Sequence, residues 1–93
     1  MTATNQPKFP LGQTVMTRGV SYEFDMEFVV DCIKRHQCGD WGDVPPGDAK
    51  QNDRAIGRGM RIISAYKDAM KRELWIITEA DRSTTTALKP SEY

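Results

Sequence analysis

The spacing of apolar residues along the chain changes period several times, and each change marks an element. Phe9-Pro10-Leu11-Gly12 introduces a short run, Gln13 to Thr17, ended by Arg18-Gly19, which predicts one strand followed by a turn. From Asp25 the spacing becomes helical, with Met26, Val29, Val30 and Ile33 at i, i+3, i+4 and i+7 and the charges mostly elsewhere. Asp25 is the expected N-cap, and the helix should stop between His36 and Gly39, with bases near its end to suit the macrodipole.

Cys38 to Gly47 then packs three Gly, two Pro and two Asp around Trp41, which is turn chemistry with an aromatic anchor. Asp48 is the expected cap of a second helix of about ten residues, with Asn52, Ala55 and Ile56 on one face and Gly57 or Gly59 as its exit. Beyond Gly59 the chemistry turns to β. Arg61 to Tyr66, a polar bend, and Leu74 to Thr78 predict an antiparallel hairpin; Glu79 to Arg82 is a second bend, and Ser83 to Leu88 a Thr-rich third strand ended before Pro90. The order β-α-α-β-β-β predicts a two-layer α+β domain, two helices on one face of a small antiparallel sheet. Residues 1–8 read as a flexible tail and 9–93 as a single domain.

Composition narrows the class. At 93 residues and 39% apolar the chain builds one modest core. Thirteen bases balance thirteen acids overall, yet residues 1–49 hold four bases against seven acids and residues 50–93 nine against six. No signal peptide and no membrane-length apolar run is apparent, so the expected location is the cytoplasm. Cys32 and Cys38, with His36 between them, are one ligand short of a metal site, and neither metal nor cofactor is expected.

Phe9-Pro10-Leu11-Gly12-Gln13, Arg35-His36 with Gly39-Asp40-Trp41-Gly42-Asp43, Ile63-Ser64-Ala65-Tyr66, the run Trp75 to Ser83, and Pro90-Ser91-Glu92-Tyr93 together resemble a family of small bacterial proteins. Its members are usually labelled "plasmid-related protein" or "type I restriction endonuclease subunit M". The resemblance covers nearly the whole chain from Phe9, departing where Tyr22 to Glu27 is shorter and more acidic and where the bend Asp68 to Lys71 lacks a glycine. It implies an association with plasmids, phages and other mobile elements, and no established activity. The methyltransferase label fails physically, because the chain has no Gly-rich strand-to-helix loop to seat a methyl-donor cofactor.

Four constellations offer chemistry. His36 with Asp40 or Asp43 suggests a general base and its orienting carboxylate, but no nucleophile stands beside it, and closure of the first helix is the favoured role. Trp41 between two glycines is either a partner hot spot or a lid on the core, the core being favoured; Trp75 reads as core or sheet-face packing. Glu79, Asp81 and Arg82 share a strand-to-strand bend, where an ion pair fixing the loop is favoured over a metal or acid–base site. Arg54, Arg58, Arg61, Lys67, Lys71 and Arg72 make the second half basic, but strand alternation spreads them over two faces.

The expectation is a non-enzymatic interaction protein whose contact surface is Asp40, Trp41, Asp43, Glu79, Asp81 and Arg82. Its expected partner is a host or phage protein complex, such as a CRISPR or restriction nuclease that it inhibits. The alternatives are a nucleic-acid-binding accessory using the basic half and a small hydrolase built on His36. A homodimer through an edge left open by the Thr-rich strand is a further expectation.

Overall fold

The computed structural model describes residues 6–93, so most of the expected tail lies outside the described residues. The elements run β1 (Gln13–Met16), α1 (Arg18–Glu23), α2 (Met26–Gln37), α3 (Pro46–Arg58), β2 (Ile62–Lys67), β3 (Glu73–Thr78) and β4 (Thr84–Leu88), followed by a 3₁₀ turn at Pro90–Glu92. The α+β class holds, with three helices and a four-stranded mixed sheet of order β1-β4-β3-β2.

Two expectations are corrected. The stretch read as a turn at Arg18-Gly19 opens α1: the Thr17 hydroxyl accepts the Val20 N–H, an N-cap that offsets the poor helix propensity of Gly19. The sheet is also not wholly antiparallel. β2 and β3 pair antiparallel, as do β3 and β4, but β1 lies parallel to β4, with Val15 opposite Thr86. Gln13 N–H donates to the Ser83 carbonyl at 2.9 Å and Thr17 N–H to that of Ala87 at 3.1 Å. Gly12 makes this approach possible: its φ is +66° and an added Cβ would sit 2.3 Å from the Ser83 oxygen. The Thr-rich strand β4 is therefore interior, and the open edge expected on it belongs to β1.

Period-two alternation decides the two faces of the sheet. Ile62, Ser64, Tyr66, Leu74, Ile76, Thr78, Thr85 and Ala87 are buried on the helix side, where Tyr66, Leu74, Ile76 and Ala87 meet Val20, Phe24, Val29, Cys32 and Ile33. A second cluster joins Phe9, Trp41, Ala55 and Ile62, and Leu11 packs against both. α2 keeps the predicted limits, although the Asp25 side chain makes no capping hydrogen bond. α3 begins at Pro46, two residues before Asp48, with Pro at its first turn and Gly59 in the left-handed conformation at its exit.

The β2 edge is closed by the preceding segment. Asn52 donates to the Ile63 carbonyl at 2.8 Å and accepts its N–H at 3.3 Å. Ala65 N–H donates to the Trp41 carbonyl, and Asp43 N–H to the Ala65 carbonyl. The outward backbone groups of Ile63 and Ala65 are thus paired, which blunts an edge that would otherwise template another strand.

Candidate functional site

His36 does not close its helix from outside. It is fully buried, and its ring turns inward between Phe9 and Trp41, edge-on to both, with centroids 5.3 and 5.8 Å away. Nδ1 lies 2.5 Å from Ser64 Oγ and Nε2 2.9 Å from Thr78 Oγ1. The proton order follows from the end of the chain of bonds. The Thr85 hydroxyl donates to the Leu11 carbonyl, so it accepts from Thr78, whose proton is then spent. Thr78 must accept from His36 Nε2–H, which leaves Nδ1 to accept from Ser64. The imidazole is neutral, and burial first, then the charge of Arg82, pushes its pKa down to about 3. This Ser–His contact is sealed from solvent with both ring nitrogens engaged by hydroxyls, and it ties the helix to the sheet. Cys32, likewise buried, has its thiol pushed up to about 12 by desolvation.

The six residues expected to form a contact surface take different partners, although Trp41 and Arg82 both lie against Phe9. Trp41 is 6% exposed, stacks on Phe9 at 6.2 Å and donates its indole N–H to Asp53, so its ring belongs to the core. Asp40 forms a two-pronged pair with Arg35 and accepts the Gly42 N–H; the Arg35 guanidinium holds its carboxyl below the usual range. Among the described residues Arg82 pairs with no acid, contrary to expectation. Its left-handed backbone turns the guanidinium onto the carbonyls of Ala55, Met60, Glu79 and Ala80, fastening the end of α3 to the β3–β4 bend. Glu79 pairs instead with Arg61 at 3.3 Å, and Asp81 accepts the Ser83 N–H within the bend; the Ser83 hydroxyl first, then this N–H, hold its carboxyl below the usual range. No group of three or more His, Cys, Asp or Glu is placed to hold a metal ion among the described residues.

The basic residues of the second half are likewise dispersed. Arg61 pairs with Glu79 and Arg72 with Asp68, while Arg54 and Arg58 lie on α3 and Lys67 ends β2 at the hairpin.

Of the six, only Asp43 lines the open cleft on the outer face of the sheet, a hollow of about 400 Å³. Ile63 and Ala65 from β2 and Trp75 from β3 form its floor, because they alternate away from the helix side. Asp43, Val44 and Pro45 form one wall, and Asp48 and Asn52 of α3 continue it. Tyr93 lies across from them, its ring 5.4 Å from that of Trp75 and inclined by 65°. Arg61 donates to the Tyr93 hydroxyl at 2.9 Å, and the Trp75 indole donates to Glu73 at 2.8 Å.

No family model, curated protein or solved structure matches the chain. The site therefore rests on its own geometry. Sequence reasoning missed Tyr93, Asp48, Arg61 and Glu73 as its members. One signal pointed to it: Trp75 lies between Leu74 and Ile76, so alternation puts the indole on the opposite face from those two core residues.

Proposed function

We propose that this chain is a non-enzymatic protein-interaction module that engages its partner through the outer-face cleft. One observation carries the reading: the cleft gathers Trp75, Tyr93 and carboxylates that form no ion pair among the described residues, whereas His36, Trp41 and Arg82 are all committed to the interior or to the backbone. Aromatic residues beside polar groups in a concave surface are what protein contacts favour. The resemblance to mobile-element proteins adds the partner class, a host or phage assembly such as a defence nuclease, by analogy.

The test is retention of partners by the tagged chain from nuclease-treated host lysate, read by mass spectrometry. A protein retained by the native chain and lost with the paired substitution Asp43→Arg and Asp48→Arg is the expected result. Retention that vanishes on nuclease treatment, or that ignores the substitutions, contradicts it.

A further inference from the structure

Charge and ring geometry say what enters the cleft. Elsewhere in the molecule three rings carry a guanidinium: Arg35 lies over Tyr66 at 4.7 Å, Arg72 over Phe24 at 5.6 Å and Arg82 over Phe9 at 5.7 Å. Trp75 and Tyr93 pair at the open cleft and, like Tyr22, Phe28 and Trp41, have no cation over the ring among the described residues. Three carboxylates, Asp43, Asp48 and Glu73, share the cleft with those rings, and none of them forms an ion pair among the described residues. The single base in the cleft, Arg61, is already offset by Glu79.

We infer that the cleft receives an arginine side chain carried by an extended segment of the partner protein. Its guanidinium lies against the Trp75–Tyr93 pair, and Asp43, Asp48 and Glu73 supply the countercharge. A planar, weakly hydrated guanidinium stacks on aromatic faces and donates to carboxylates with the same group, which an ammonium does less well. The apolar floor of Ile63 and Ala65 suits the methylene stem. This inference rests on the cleft being the contact surface, and it names the chemistry of what fills it.

The experiment titrates the ¹⁵N-labelled chain with acetyl-(Gly-Arg)₃-amide at physiological salt, with the corresponding Lys and Glu peptides alongside. The expected result is a saturable shift of the Trp75 indole N–H, weaker for the lysine peptide and absent for the glutamate peptide. The exposed acids provide the variant: Asp43→Asn with Asp48→Asn should weaken the arginine peptide by about tenfold with the other backbone resonances unmoved. No saturation at the indole, shifts centred outside the cleft, or equal affinity in the variant overturns the inference. A partner retained from lysate by a cleft that ignores the arginine peptide removes this inference and leaves the interaction reading standing. A cleft that binds the peptide but retains no protein does the reverse.

Discussion

His36 shows how a single buried side chain can tie a scaffold together. Its relay through Ser64, Thr78 and Thr85 ties α2 to β2, β3 and β4 and ends on the chain entering β1. The acid response follows from the sign of its pKa shift. The ordinary value is 6.5 and the folded value about 3, so between them the unfolded chain takes up a proton that the native protein refuses. Its contribution to stability is full above pH 6.5 and is lost as the pH falls towards 3, at about 1.4 kcal/mol per pH unit. Denaturant titrations at pH 7, 6 and 5 should show that decline before the carboxylates begin to protonate; an imidazole titrating near 6.5 in the folded protein, seen by NMR, would contradict it. The sequence announced a His beside a Gly-rich loop but not its burial, because Ser64 and Thr78 are 28 and 42 residues away. Trp41 posed the same difficulty, since core and contact surface both select Trp, and the acceptor Asp53 of its indole lies in the following helix.

At the scale of elements, α2, α3 and all four strands were legible, since each carries a sustained period or a clear stop such as Gly59. α1 was not, because six residues containing a glycine carry almost no periodic signal and depend on the Thr17 cap. Nor was the parallel pairing of β1 with β4, a contact some seventy residues apart in sequence that local pattern does not encode. The closed edge of β2 brings the most specific demand. Gly42 has φ +73°, and an added Cβ would sit 2.0 Å from the Ala65 oxygen and 2.7 Å from the Tyr66 ring. Gly42→Ala should therefore cost roughly 2–4 kcal/mol by combining left-handed strain with a backbone clash. Equilibrium unfolding in urea measures this, and a loss below ~0.5 kcal/mol, ordinary for a surface site, would mean that the loop does not clamp the strand as described.

For the whole molecule, the sheet presents two different faces. The helix side holds the core and the His36 relay, and the outer side carries the cleft. The radius of gyration, 12.5 Å, is close to the ~12 Å of a single compact domain of this length, and no helix among the described residues is long and apolar enough to cross a membrane. The half-chain charge asymmetry does not become two charged lobes in any simple way, because Lys89 from the basic half pairs with Glu23 from the acidic half. The site itself was only partly legible in sequence: Asp43 was identified, but the fold had to bring it beside Trp75 from β3 and Tyr93 beyond the final turn.

Hydrogen–deuterium exchange of the chain alone and in its complex with the retained partner tests the division of faces most directly. The account predicts slowed exchange in segments 42–52 and 73–77, which border the cleft, with the β3–β4 bend at 79–83 unchanged. Protection centred on that bend with the cleft segments unaffected would contradict it.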